Sequence, residues 1–267
     1  MNIKRLITGL IGFPLVACLL IFGNKYVIDV AFAITAGISI YEFNKALKLK
    51  SKPIQWLGYI PCVLIALIHV IPIQYLIIIA AAIVPVFILI LFLNIIFTNM
   101  KYNIVDISAT LFGILYITLF ILFIPLLMAT ENGKYLVWYI ILAAWGTDTF
   151  AYIFGCSFGK HKFTQISPKK SIEGCIGGTL GAIILIVVYT FFINKYVGLD
   201  INYFAIAGIA LILSLLGQIG DLSASAVKRY VEIKDYGNIF PGHGGMLDRI
   251  DSILFIAPFA YFLLLLI

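Results

Sequence analysis

Charge is what this sequence has least of. Asp, Glu, Lys and Arg make up 11% of the 267 residues, while 63% are hydrophobic, and the mean hydropathy is +1.12. A soluble helical protein keeps a polar stripe along each surface helix, and this chain has too few polar side chains to do so. Histidine is also scarce, with three in all. There is no second His or Cys at metal-ligand spacing, which argues against a structural zinc site. The four cysteines, Cys18, Cys62, Cys156 and Cys175, are scattered through apolar or membrane-adjacent sequence. They form no disulfide framework and read as packing residues. No Ser–His–Asp arrangement accompanies His243, so a triad hydrolase is not indicated.

Long apolar windows take the place of charge. Several runs of about 20 residues are nearly uncharged, the length that crosses a hydrocarbon core of about 30 Å. The expected fold is all-α: a polytopic integral membrane protein of about nine spans. They fall near 6–22, 26–44, 55–72, 74–97, 105–128, 135–155, 175–194, 202–224 and 251–267. Pro72, with Gln74 just after it, marks the turn between the third and fourth. The first apolar run lacks a small-residue cleavage pattern and more spans follow, so an uncleaved first span is expected. Fifteen of the eighteen lysines and arginines fall in one set of loops, among them Lys4, Arg5 and Lys101. Only Lys25, Lys134 and Lys195 lie in the other set. That asymmetry predicts a cytoplasmic N-terminus. The net charge of +6 suits anionic lipid or phosphate, and nothing calls for nucleic acid.

The first half reads as scaffold, residues 1–130, and the second, 131–267, as a catalytic region of the same continuous membrane domain. In the first half Asp106 reads as a helix N-terminal residue, and Asp29 and Glu42 lie near interfaces. His69 reads as a satisfied core or interface histidine. The second half changes character. Asp221 to Asp251, 31 residues, hold nine of the thirty charged side chains. Charge so concentrated beside a bilayer is expensive and usually functional. Asp221, Ser225 and Lys228 fall on one face if the eighth helix runs on past the membrane. They offer a carboxylate and a hydroxyl to a hard cation, with an ammonium beyond. Asp248 and Asp251 open the ninth helix on one face, either as metal ligands or as residues favoured by the helix dipole. For Asp248, directly after the His243-Gly244-Gly245 turn, metal binding is favoured; for Asp251 the two readings are close. The turn's N–H groups suit phosphate oxygens, and His243 is a candidate general acid or base, or a turn residue. Lys228, Arg229 and Arg249 supply positive charge.

Upstream, Trp145, Asp148 and Tyr152 share a helix face. An Asp inside an apolar span faces a partner or a wet cavity, so it reads equally as a binding residue or as a packing hydrogen bond. The following loop carries Gly159-Lys160 and Ser167-Pro168-Lys169-Lys170-Ser171, then Glu173-Gly174. Lys169 and Lys170 suit phosphate, although any cytoplasmic loop is basic. Gly174, Gly177, Gly178 and Gly181 permit either approach to a ligand or, more plainly, close helix packing.

The second-half motifs carry a resemblance. The run Ser225, Val227-Lys228-Arg229, Lys234-Asp235, Gly237, Phe240-Pro241, His243-Gly244-Gly245-Met246, Asp248-Arg249-Ile250-Asp251 resembles the signature of the phosphatidate cytidylyltransferase (CDP-diacylglycerol synthase) family, with no departure over 27 positions. Gly220-Asp221-Leu222, and the block from Trp145 to Gly174, match as well. The resemblance covers roughly the C-terminal half; the N-terminal half matches only in span number and size. It implies a Mg²⁺-dependent enzyme of the cytoplasmic membrane, whose substrates are CTP and phosphatidate and whose products are CDP-diacylglycerol and pyrophosphate. On that footing Asp221, Asp248 and Asp251 are the expected metal ligands. Lys169, Lys228, Arg249 and His243 serve the reaction, while Ser225, Arg229, Lys170, Gly244, Gly245, Asp148 and Tyr152 hold substrate. A second cation and a homodimer are further expectations, and membrane lipids surround the whole. Rival readings are a CTP-dependent enzyme acting on another lipid, or an ion-coupled transporter using Asp148, for which no internal repeat is visible.

Overall fold

The computed structural model describes residues 3–267; for residues 3–11, 13, 73, 74, 76, 77 and 79–81 it describes the backbone alone. The side chains of Lys4, Arg5 and Gln74 therefore lie outside the described residues. The described chain is helical throughout, with two isolated β-bridges, Lys162 to Ser171 and Phe240 to Gly244. The helices are α1 (Ile3–Phe22), α2 (Lys25–Leu47), α3 (Gln55–Ala66), α4 (Ile73–Phe97), α5 (Ile104–Gly113), α6 (Phe120–Met128), α7 (Gly133–Phe158), α8 (Ile172–Val197), α9 (Tyr203–Tyr230) and α10 (Leu247–Leu264). A π-helical turn, Ile114–Leu119, joins α5 to α6 in one rod. Among the described residues, five rods are long and apolar enough to cross a membrane: Lys25–Leu47, Ile104–Met128, Gly133–Phe158, Ile172–Val197 and Tyr203–Tyr230. The third expected span is shorter than its apolar run. Its helix stops at Ala66 and the chain turns through Leu67–Val70. Pro61 removes one donor from that helix, and Pro72 disfavours helical backbone at Ile71.

The described residues divide into two compact units. The first holds the chain up to Pro125 together with Asp235–Leu247. Part of its core is Ile54, Leu57, Phe87, Leu91, Ile107 and Ile114. Asp106 is a helix-start residue, as expected. It forms a capping box with Asn103 and also accepts the Lys52 N–H at 2.5 Å. His69 is satisfied too: its Nδ1 lies 2.8 Å from Asp29, which is fully buried.

The second unit holds Leu126–Lys234 and Asp248–Ile267. Here α8 lies against α7 along its glycines, so packing is what the stripe serves. A Cβ on Gly178 would lie 2.7 Å from the Thr147 carbonyl oxygen and 2.9 Å from the Ala151 Cβ. A buried polar ladder then ties three helices. Thr147 Oγ1 donates to Ser214 Oγ (2.7 Å), which donates to Thr179 Oγ1 (3.1 Å). Gln218 Nε2 donates to Thr179 Oγ1 (2.9 Å) and to the Cys175 carbonyl (3.2 Å). Between apolar helices such bonds set rotation and register more than they add stability.

Gly178→Ala should lower stability by about 1–3 kcal/mol, because backbone must shift to admit the methyl. Gly208, with nothing within 4 Å of a built Cβ, is the control. Gly208→Ala should leave the thermal unfolding midpoint in detergent unchanged or slightly raised, whereas Gly178→Ala should lower it.

Candidate active site

The second unit gathers acidic and basic side chains from α7, α9, α10 and the loop between α7 and α8. Helix α9 runs to Tyr230, so Asp221, Ser225 and Lys228 do ride one continuous helix. Helix α10 begins at Leu247, which puts Asp248 and Asp251 in its first turns. The two helices meet at Gly220, where an added Cβ would lie 2.7 Å from the Asp251 carbonyl oxygen. That close approach brings the α9 and α10 acids together.

Two ion pairs organise the cluster. Lys228 Nζ donates to Asp248 Oδ1 at 2.7 Å, with Lys228 9% and Asp248 7% exposed. Lys170 Nζ lies 2.5 Å from Asp221 Oδ2, and both side chains remain partly accessible. Asp148 on α7 is within electrostatic range of Asp221, Lys170 and Arg249. Asp251, buried, is within range of Asp221, Lys228 and Asp148. Four carboxylates and three cations from α7, the following loop, α9 and α10 thus share one neighbourhood.

The loop between α7 and α8 is held in shape. Phe163 N–H donates to the Lys170 carbonyl and Ile172 N–H to that of His161, each at 2.9 Å. Ser171 caps α8 by accepting the Gly174 N–H at 3.1 Å. Glu173 turns back to accept the Lys160 and His161 N–H groups at 3.2 and 3.3 Å, and pairs with His161 Nδ1 at 2.6 Å. Arg229 Nε makes a long bond, 3.4 Å, to the Ile166 carbonyl. The result presents Lys170 to Asp221.

Not every expected residue joins this cluster. Lys169, Arg229 and Tyr152 are exposed, and Ser225 is half-buried. His243, Gly244 and Gly245 belong to the first unit. There the Phe240–Gly244 bridge closes a tight turn, with φ of +80° at Gly242 and +86° at Gly244. Both angles suit glycine. Among the described residues no three His, Cys, Asp or Glu side chains gather closely enough to hold a metal ion. The sequence reading passed over the Thr147–Ser214–Thr179–Gln218 ladder, and it placed Glu42 near an interface without a partner for its buried carboxylate. Neutral polar residues in an apolar run carry little signal, and Glu42 sits far from every motif.

Fold and site define an all-helical membrane protein with acids and bases paired across its helices and the loop between α7 and α8. The chain belongs to the cytidylyltransferase family, whose sequence model matches residues 3–267. It is 44% identical over 143 residues to the phosphatidate cytidylyltransferase of Bacillus subtilis (strain 168), covering 53% of this chain and 52% of that protein. It is 39% identical over 166 residues to proteins of the same name from Staphylococcus haemolyticus (strain JCSC1435) and Staphylococcus aureus (strain COL), covering 62% of each chain. The chain thus spans about half to three-fifths of the length of the curated relatives it matches.

Lys228→Met removes the ammonium that pairs with the buried Asp248 carboxylate and should cost about 3–5 kcal/mol. Adding Asp248→Asn should recover part of that loss. A double-mutant cycle on thermal unfolding in detergent reads the coupling, and additive losses would mean the pair contributes nothing.

Proposed function

We propose that this protein transfers CMP from CTP to phosphatidate, forming CDP-diacylglycerol and releasing pyrophosphate. The observation that carries the reading is the pairing of Lys170 with Asp221 and Lys228 with Asp248 within one unit, in a chain of the cytidylyltransferase family. A phosphatidate oxygen attacks the α-phosphorus of CTP. The bond to the bridging oxygen of the β-phosphate breaks, and pyrophosphate departs with the electron pair. Phosphatidate is already anionic, so a strong base is unnecessary; the barrier is repulsion between two polyanions. Lys169, Lys170, Lys228, Arg229 and Arg249 neutralise that charge. Ser225, Tyr152, Asp148 and the His243–Gly245 turn are assigned to substrate positioning, with His243 available for proton transfer.

The acids suit Mg²⁺ in donor type, being hard carboxylate oxygens. With no three-ligand cluster among the described residues, the protein would provide only one or two ligands. Asp221, Asp248 and Asp251 are the candidates, and substrate phosphates and water would complete the shell. When bound, Mg²⁺ supplies positive charge to phosphate oxygens and the leaving group. A second cation belongs to the same proposal. Lys170 and Lys228 keep the acids compensated and reach phosphate from the same positions.

Nine spans, a cytoplasmic N-terminus and a site facing the cytoplasm complete the proposal, supported by the distribution of lysine and arginine. Residues 1–130 serve as scaffold and 131–267 carry the chemistry in the inner membrane. The lipid keeps its acyl chains in the bilayer while its headgroup meets CTP, and the protein works as a homodimer.

Purified protein in detergent, given CTP, phosphatidate and Mg²⁺, should release pyrophosphate. Asp248→Ala should cut turnover at least about 100-fold while remaining monodisperse. Turnover with another lipid acceptor, and none with phosphatidate, would keep the chemistry and replace the substrate. No turnover with any lipid would overturn the enzyme reading.

A further inference from the structure

Glu42 lies in α2, 204 residues before Met246, and carries no motif. Its side chain is buried, with 2% of the residue exposed. The carboxylate accepts the Met246 N–H at 3.1 Å through Oε1 and the Leu247 N–H at 2.9 Å through Oε2. These amides lead into α10, which begins at Leu247. Helix-start N–H groups lack intrahelical acceptors, and an anion there is favoured by the helix dipole. Bonds to a charged acceptor are also shorter and stronger than neutral ones.

The surroundings are built for this carboxylate. A Cβ on Gly237 would collide with Glu42 Oε1, and one on Gly245 with both carboxylate oxygens. Two glycines of the Gly237–Gly245 signature segment are therefore explained by room for Glu42, not by turn conformation, since neither has a positive φ. One carboxylate thus packs against Gly237 and Gly245 and bonds both amides preceding Asp248. All five contacting residues, Glu42, Gly237, Gly245, Met246 and Leu247, belong to the first unit.

We propose that Glu42 is a positioning residue for nucleotidyl transfer: it fixes the backbone entry to α10 and so the placement of Asp248, the next residue along the chain. The proposal rests on the reading that Asp248 serves the reaction. In this role Glu42 acts through the Met246 and Leu247 amides. Both oxygens are engaged, so Gln must turn an NH₂ group toward one of two N–H donors and lose that bond. Asp is one methylene too short to keep both bonds in place. A mere structural tie would change stability alone; a positioning residue changes turnover in protein that is folded.

The test compares wild type, Glu42→Gln, Glu42→Asp and Gly237→Ala in detergent. It measures pyrophosphate release per monodisperse protein, with kcat and KM for CTP, and hydrogen exchange of the 240–250 segment. Expected for Glu42→Gln is faster exchange at Met246 and Leu247 and a kcat lower by about 10- to 100-fold. KM should stay within about threefold. Gly237→Ala, which displaces the carboxylate while keeping it and touches no residue assigned to substrate, should show the same pattern. If Glu42→Gln does not fold, Glu42→Asp and Gly237→Ala decide. Wild-type kcat in a folded variant, or unchanged exchange at the two amides, would overturn the proposal. A wild-type protein without turnover defeats the assigned reaction and the catalytic half of this proposal with it; the exchange arm still reports whether Glu42 holds the entry to α10.

Discussion

Lys228 and Asp248 meet at 2.7 Å with both residues almost fully buried. A carboxylate in such a place costs several kcal/mol unless a cation and further hydrogen bonds compensate it. The more accessible acids of the second unit are compensated as well. Lys170 reaches Asp221, and Arg249 and Lys170 lie within range of Asp148. An apolar chain can keep four aspartates together only by bringing its few cations to the same place. The scarcity of charge and the concentration of function are thus one constraint seen twice.

Compensation of that kind depends on helices held close and in register. The glycine face of α8 lets it lie on α7, and Gly220 lets α9 approach α10. The Thr147–Ser214–Thr179–Gln218 ladder then sets rotation. Asp148 follows Thr147 and Asp221 comes three residues after Gln218. The bonds that set register therefore lie within a turn of the acids they serve. Packing without hydrogen bonds would leave apolar helices free to slide, because apolar surfaces discriminate poorly between registers.

Much of this was legible in residue order. Periodicity put Asp221, Ser225 and Lys228 on one helix face, and α9 carries them so. Asp106 was readable as a helix-start residue because its environment is local. His69 was readable as satisfied, although its partner Asp29 was not, since the two stand 40 residues apart. The third apolar run looked like a full span, but hydropathy does not register the turn after Ala66. Gly245 looked like a turn glycine and Gly237 was only a motif position; their reason is a carboxylate some two hundred residues upstream.

Sequence alone determined the all-helical, membrane-type character, the identity of the charged cluster and the family resemblance. Composition, period and local motif spacing are properties of neighbouring residues, and a linear reading sees them directly. Only the tertiary structure decided which cation compensates which carboxylate, that the glycine stripe serves helix packing, and that Glu42 bonds the amides entering α10. Those outcomes depend on distances between segments far apart in the chain. Such distances are set by the joint packing of all the helices in a unit, which no single stretch encodes.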